Sequence, residues 1–139
     1  MARYGSQKYP FTEDMKPSPA DPYAISKVAA EQTLINLCEL NKVEWVIAVH
    51  HNIIGPKQKY DDPFRNVVSI TLNRMLQNKP PIIYGDGKQT RSFCYVSDLV
   101  LGLIKLMNSS YQEPVNLGNP VEFTILELAE LVTKELDSD

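Results

Sequence analysis

The amino-acid sequence predicts an α/β fold in which helices connect the strands of a parallel sheet. Residues 21–40 carry apolar side chains at helical spacing, and residues 43–50 form a short, apolar, β-branched run. A helix followed at once by such a run is typical of a crossover in a parallel sheet, whose strands are buried on both faces. A second helical pattern at residues 96–107 is followed by PVNLGNP, which resembles a strand that runs into a turn. The alternation of the two patterns predicts the α/β class.

The first elements are a loop and a helix. Three prolines among polar residues make residues 1–20 an extended loop. Asp21 suits the N-cap of the next helix, and Pro22 suits its first position. This helix is expected to reach about Leu40, with an apolar face made of Ala24, Ile25, Val28, Ala29, Leu34, Ile35 and Leu37.

The later elements follow the same rules. A second helix is expected from about Phe64 to Gln77, where NKPP ends it. The segment IIY, residues 82–84, predicts a short strand that runs into the turn GDG, and RSFCYV alternates as a strand does. Thr124 and Glu127 have the spacing of a reciprocal capping box, so a last amphipathic helix begins there.

Composition limits the function classes. The chain has 139 residues, enough for one ordinary domain, and its formal charge of −3 disfavours bulk binding to nucleic acid or an anionic membrane. Cys38 and Cys94 are isolated, which is typical of reduced thiols in a cytoplasmic protein. His50 and His51 are adjacent, so on a strand they face opposite ways, and no metal site is predicted.

Tyr23 and Lys27 form the first candidate for chemistry. Residues four apart on a helix share a face, so both side chains can point into one cleft. An ammonium near a phenol stabilises the phenolate, which suits a base that takes a proton from a sugar hydroxyl. The spacing by itself is common, and two solvent-exposed side chains that stack on each other are the alternative interpretation.

Several segments, in the same order, resemble a known family. Together they span nearly the entire chain, and they are similar to extended short-chain dehydrogenases that act on nucleotide sugars. The middle of the chain resembles the UDP-glucose 4-epimerase branch, whereas QTRSFCYVSDLVLGLIKLMNSS and the last segment also resemble UDP-glucuronate decarboxylases. The segments are MARYG, PFTEDMKPSPADPYAISKVAAEQ, NIIGPKQKYDDPFRNVVSI, IIYGDGKQTRSFCYVSDLVLGL and PVNLGNPVEFTILELAEL.

The resemblance implies a partial doubly wound, Rossmann-like sheet with part of the small substrate-binding domain. Residues 1–55 would be the C-terminal part of the Rossmann-like portion, and residues 56–139 mainly the substrate-binding portion. The sequence contains no G-x-G-x-x-G or G-x-x-G-x-x-G motif, so the chain is expected to be a C-terminal fragment without the main NAD-binding motif. The family's catalytic Ser or Thr would precede Met1.

The resemblance also implies the cofactor, the substrate and the site residues. The cofactor would be NAD and the substrate a UDP-sugar, with Tyr23 as the catalytic base and Lys27 as a ligand of the nicotinamide ribose. Arg91 would contact the substrate diphosphate, for which its planar fork is suited, although a surface salt bridge is the alternative. Further substrate-side candidates, each with packing, turn formation or helix surface as its alternative role, are Asn52, Arg65, Asn66 and Tyr84.

The reaction within the family stays open between two branches. Ala2 stands where the decarboxylase pattern has a glutamate, which favours an epimerase that oxidises C4 and returns the hydride. A decarboxylase is the alternative, as is a non-catalytic remnant or interaction module. Val49 stands where the epimerase branch usually has an arginine. His51, by contrast, matches a histidine that is common in that branch. The resemblance further implies a homodimer through the Tyr23/Lys27 helix, at an interface that would include Ala24, Val28, Ala29 and Leu34.

Overall fold

A computed structural model describes residues 2–62 and 66–136. A short 3-10 helix, Ala2–Tyr4, comes first. The α-helices are α1 (Pro22–Asn41), α2 (Val67–Leu76), α3 (Val96–Met107) and α4 (Ile125–Leu136). The strands are β1 (Ala48–His50), β2 (Asn52–Ile54), β3 (Thr90–Tyr95), β4 (Val115–Leu117) and β5 (Glu122–Thr124).

The chain divides into two compact units that interleave along the sequence. The first unit combines the described residues of 1–51 with 99–117, and the second combines 52–98 with the described residues of 118–139. Two separate small sheets lie in them, one in each unit. The expected division into a Rossmann-like portion, residues 1–55, and a mainly substrate-binding portion, residues 56–139, remains a prediction.

The sheet of the first unit is parallel, as predicted. β1 pairs with β4 in the register Ala48↔Val115, Val49↔Asn116 and His50↔Leu117. The strand expected over residues 43–50 is confirmed only in its last three residues, because β4, its only partner among the described residues, is itself three residues long. A ladder extends only as far as both strands do.

Helix α1 agrees with its predicted bounds. The Asp21 carboxylate accepts a hydrogen bond from the Ala24 N–H at 2.8 Å. Lys42, in the left-handed region at φ 56°, ends the helix. The expected apolar face needs correction, since four of its members are exposed: Ile25, Ala29, Leu34 and Leu37. The inward stripe, buried or half-buried at alternating spacings of four and three, is Ala24, Val28, Glu31, Ile35 and Cys38.

The N-terminal loop packs against β4 rather than extending into solvent. Tyr4 is fully buried, stacks on Phe11 with a ring separation of 5.1 Å, and donates its hydroxyl to the Asn116 side-chain oxygen at 3.0 Å. Gly5 makes the turn at φ +59°, where an added Cβ would lie 2.1 Å from the Ser18 carbonyl oxygen. Residues far apart in sequence thus fix the course of the loop.

The second unit holds a mixed sheet in the order β2-β3-β5. β2 is parallel to β3 and β3 is antiparallel to β5. The predicted strand at residues 82–84 is wrong, since these residues pair with no other described residue in a ladder and lead into a turn with positive φ at Gly85 and Gly87. The three-residue strands β2 and β5 are too short to be recognised from sequence pattern.

The capping box of α4 is confirmed. The Thr124 N–H and hydroxyl donate to the Glu127 carboxylate at 2.7 and 2.9 Å, and the Glu127 N–H donates to the Thr124 hydroxyl at 3.1 Å. The hydrogen bonds from the Thr124 backbone and then its side chain hold the pKa of Glu127 below its ordinary value.

Within residues 2–62 and 66–136, no helix combines the length and apolar character that a bilayer span requires.

Candidate functional site

Tyr23 and Lys27 lie on the first turns of α1, where the cap at Asp21 and the proline at its first position fix the start of the helix. The Lys27 ammonium nitrogen lies 5.6 Å from the centroid of the Tyr23 ring. This distance is within the range of a cation–π contact. Tyr23 is 62% exposed, so its phenol is open to a ligand. The structure therefore brings the pair together on one face, as the spacing predicts.

Both side chains line a groove of about 400 Å³ between α1 and residues 46–50. Tyr23 and Lys27 of α1 share this groove with His50, the last residue of β1, so the groove reaches the carboxyl end of that strand. In open α/β sheets this end of the strands is where ligands bind.

Three further polar residues line the groove, and sequence reasoning did not assign them to it. Arg3 forms a largely buried ion pair with Glu31 of α1. His50 is exposed at the end of β1, and its Nδ1 lies 3.1 Å from the His51 carbonyl oxygen. Arg3 and Glu31 are 28 residues apart, so no local spacing could have paired them.

Arg91 lies in the second unit, on β3, with an exposed side chain. One guanidinium nitrogen donates to the Thr90 carbonyl oxygen at 2.7 Å. Among the described residues no carboxylate forms an ion pair with Arg91, so the salt-bridge alternative has no partner in this part of the chain. Its remaining donors are available for an anionic ligand.

The other substrate-side candidates also lie in the second unit. The Asn52 amide donates to the Ser92 carbonyl oxygen at 3.0 Å and so links β2 to β3, which leaves its own oxygen as an acceptor. Tyr84 is 69% exposed, and its carbonyl accepts from the Gln89 side chain at 2.9 Å. Arg65 lies outside the described residues.

Asn66 is the N-cap residue of α2 but does not cap it with its side chain. Its backbone is in the left-handed region at φ 57°, and its amide points to the Ile53 carbonyl oxygen at 3.4 Å. The positive end of the α2 dipole is therefore not offset by a side-chain cap from Asn66. Such a helix end favours an anionic group.

No group of three or more potential metal-ligating side chains occurs in the part of the chain that the structure describes.

The two units carry separate sets of candidate residues. Tyr23 and Lys27 lie in the first unit, and Asn52, Asn66, Tyr84 and Arg91 lie in the second.

Both a protein family and individual known proteins match this chain. Residues 2–118 match the NAD dependent epimerase/dehydratase family. UDP-glucuronic acid decarboxylase 1 of Arabidopsis thaliana is 52% identical over 95 residues, which are 68% of this chain and 21% of that protein. The putative UDP-glucose 4-epimerase of Methanocaldococcus jannaschii is 35% identical over 138 residues, 97% of this chain and 44% of that protein.

A solved structure extends the similarity to the fold. The UDP-N-acetylglucosamine 4-epimerase of Methanobrevibacter ruminantium, in complex with UDP-N-acetylmuramic acid, matches with a TM-score of 0.93 at 31% identity. The match covers 99% of this chain and 45% of that structure. The predicted α/β class is thereby confirmed, and the chain spans less than half the length of each of these relatives.

Proposed function

Since the chain belongs to the NAD dependent epimerase/dehydratase family, we propose that it provides the Tyr/Lys pair and the substrate-side residues of an enzyme that modifies a UDP-sugar. The observation that carries this proposal is the position of Tyr23 and Lys27, which line one groove at the carboxyl end of β1. The phenol can meet a sugar hydroxyl there, because Tyr23 is 62% exposed.

In this proposal Tyr23 takes the proton from the sugar C4 hydroxyl, and the positive charge of Lys27 stabilises the phenolate that Tyr23 must form. NAD, when bound, supplies the acceptor for the hydride on C4. The chain fits this cofactor only in part. Tyr23 and Lys27 can donate to and accept from a ribose, whereas the sequence has no glycine-rich turn for the pyrophosphate.

The substrate-side residues would hold the nucleotide. Arg91 suits a diphosphate, since its unpaired donors form a planar fork. The N-terminus of α2 after Asn66 suits an anionic oxygen, and Arg65 precedes it. The exposed ring of Tyr84 and the free side-chain oxygen of Asn52 would contact the base or the sugar.

Calorimetric titration of the purified chain with UDP, and separately with NAD, tests the proposal. We expect UDP to bind and NAD to bind weakly, because the pyrophosphate cradle is absent from the sequence. The chain by itself is accordingly expected not to convert a UDP-sugar. If the chain binds neither UDP nor a UDP-sugar, the proposal is wrong and a non-catalytic role replaces it.

A UDP-glucuronate decarboxylase is the second candidate, because the Arabidopsis decarboxylase is 52% identical over the matched residues. Ala2 favours the epimerase, since a decarboxylase of this type is expected to carry a glutamate there. Titration with UDP-glucose and UDP-glucuronate in parallel separates the two. Tighter binding of UDP-glucuronate would support the decarboxylase, and equal or tighter binding of UDP-glucose would support the epimerase.

We also propose a homodimer through α1 and a cytoplasmic location. Ala24 is fully buried, so it belongs to the core and not to such an interface. Ile25, Leu34 and Leu37 are exposed apolar residues of α1 and support the dimer. The free thiols of Cys38 and Cys94 support a reducing compartment.

A further inference from the structure

A cluster of charged side chains lies in the groove beside Tyr23. Lys27 and Glu31 are four residues apart on α1 and line the groove, as does Arg3. Residues at this spacing share one face of a helix, so the Lys27 ammonium and the Glu31 carboxylate can reach each other. Opposite charges at this spacing attract, and such a pair would draw the ammonium away from the Tyr23 ring.

Glu31 pairs with Arg3 instead. One guanidinium nitrogen of Arg3 donates to a Glu31 carboxylate oxygen, and the two side chains are only 11% and 15% exposed. Among the described residues no carboxylate forms an ion pair with Lys27. The Lys27 ammonium lies over the Tyr23 ring, 5.6 Å from its centroid. The positive charge of Lys27 is therefore available to the Tyr23 phenol.

The surrounding chain fixes Arg3 where it can hold the carboxylate. The Arg3 carbonyl accepts a hydrogen bond from the Ser18 N–H at 2.9 Å. Its neighbour Tyr4 is fully buried and donates its hydroxyl to the Asn116 side-chain oxygen at 3.0 Å. The Arg3 guanidinium carbon lies 5.7 Å from the centroid of the Tyr4 ring. These contacts present the guanidinium to Glu31 in a defined position.

Burial decides the competition for the Glu31 carboxylate. Charges attract more strongly where water is excluded, so the buried pair with Arg3 outweighs a pair with the exposed Lys27. Removing one partner of a buried ion pair leaves the other charge uncompensated. Lys27 offers a cation one helical turn away. Loss of the Arg3 charge would therefore release Glu31 to Lys27.

The Nε atom of Arg3 argues against a purely stabilising role. It is buried and has no hydrogen-bond partner in the part of the chain that the structure describes. A buried donor without a partner costs free energy, and apolar side chains in place of a buried ion pair often stabilise a fold at least as well. The effect of the pair on the charges of the groove explains an arginine here better than stability does.

We propose that Arg3 is a positioning residue for the Tyr23/Lys27 pair, because it holds the Glu31 carboxylate and so leaves the Lys27 ammonium beside the Tyr23 phenol. Arg3 touches no reacting atom and acts through Glu31 and Lys27. The inference rests on the proposed function, in which the positive charge of Lys27 stabilises the phenolate that Tyr23 must form. A free carboxylate one turn away would offset that charge and weaken the base.

Nuclear magnetic resonance of the full chain tests the positioning without NAD or UDP. Protons over the face of an aromatic ring are shifted upfield, so the Lys27 side-chain signals report the contact with Tyr23. Tyr23→Leu, which lacks the ring, gives the unshifted reference. Arg3→Met removes the charge of Arg3, and the Lys27 signals should then lose most of their upfield shift. Cross-relaxation between the Lys27 methylenes and the Tyr23 ring should disappear with it.

Further variants separate the effect of charge from a structural effect. Arg3→Met/Glu31→Gln lacks the carboxylate as well, so the Lys27 signals should return to their parent positions although the ion pair is still absent. Arg3→Lys keeps the charge and should keep the parent signals. Salt should partly restore the signals in Arg3→Met, because a pair with the exposed Lys27 is screened. Lys59→Met, which breaks an exposed pair with Asp61, is the control and should change nothing.

A matched pair of variants keeps the test decisive if Arg3→Met does not fold. Ala30→Glu places a carboxylate in the groove three residues after Lys27 and should move the Lys27 signals as Arg3→Met does. Ala29→Glu places the same charge two residues after Lys27, where it does not face that side chain, and should leave the signals unchanged. Both alanines are exposed, and circular dichroism checks that each variant is folded.

Three results would overturn the proposal. The first is a folded Arg3→Met or Ala30→Glu chain whose Lys27 signals stay at the parent positions. The second is a shift in Arg3→Met that Glu31→Gln does not reverse, since the effect would then be structural. The third is a loss of the upfield shift in Glu31→Gln alone. Absence of UDP binding together with the expected Lys27 signals would instead refute the proposed function alone, so the two failures are distinguishable.

Discussion

At the scale of the residue, backbone position decides what each side chain can do. Tyr23 and Lys27 meet because both follow a well-capped helix start, and the ammonium approaches the ring at 5.6 Å. Arg91 differs, since it lies on a strand and its guanidinium donates a hydrogen bond to the neighbouring Thr90 carbonyl at 2.7 Å. Its exposed guanidinium has further N–H donors that an anion can use.

Arg91→Ala should weaken UDP binding at least about tenfold, because a charge-assisted fork to phosphate is worth about 1.5–3 kcal/mol. Arg74→Ala is the matched control. Arg74 is also in the second unit and also donates to a backbone carbonyl, that of Pro80 at 2.8 Å. Calorimetry should show its UDP affinity within about twofold of the parent chain. Equal losses in both variants would mean that the effect is general charge and not a specific contact.

Substitutions at Gly5 and Gly85 distinguish the steric cost of an added Cβ from the conformational cost of a positive φ. Both have positive φ, but a Cβ on Gly5 would strike the Ser18 carbonyl at 2.1 Å, while one on Gly85 meets nothing within 4 Å. Gly85→Ala should lower the free energy of unfolding by about 1 kcal/mol, and Gly5→Ala by clearly more, about 2–3 kcal/mol. Urea denaturation measures both. Equal losses would show that the loop at Ser18 moves aside freely.

At the scale of the element, nearby side chains determine where a helix begins, whereas the partner strand determines how long a strand is. The start of α1 and the start of α4 are set by side chains within three residues of each cap. The strands are different, because each is limited by the length of its partner. This explains why α3 begins and ends where the periodicity predicts, while β1 is shorter than its apolar run.

The cap of α4 should make stability depend on pH in the acid range. The folded-state pKa of Glu127 is lowered, so its contribution is fully present above its ordinary value of 4.5 and is lost as the pH falls through the folded pKa. Glu127→Gln should flatten the fall in unfolding free energy below that value. Glu130→Gln removes the same charge one turn later without touching Thr124 and should retain the slope. Urea titrations from neutral pH to pH 3 provide the comparison.

At the scale of the whole molecule, two helices expose large apolar side chains. Leu37 and Leu40 of α1 and Ile104 and Met107 of α3 are all more than half exposed. Such surface favours association, since burying it removes apolar area from water.

Leu37→Lys should therefore shift the chain towards monomer in sedimentation velocity runs across a concentration series. Leu72→Lys, at an apolar residue of α2 that is 40% exposed, is the control and should leave the association unchanged. If both variants dissociate the chain equally, the association is unspecific aggregation. If neither does, α1 is not the interface.

The sequence by itself determined the helices, their caps, the α/β class and the family, because helical periodicity, capping spacings and motif order are local properties of the chain. It also placed Tyr23 and Lys27 on one face, since i and i+4 do so in any helix. Tertiary structure alone decided the lengths of β1, β2 and β5 and the absence of a strand at 82–84. It alone joined Arg3 to Glu31, brought His50 to the Tyr23/Lys27 groove, and paired β1 with β4. These features depend on partners distant in sequence, and no local pattern specifies which partner a strand or a charge will meet.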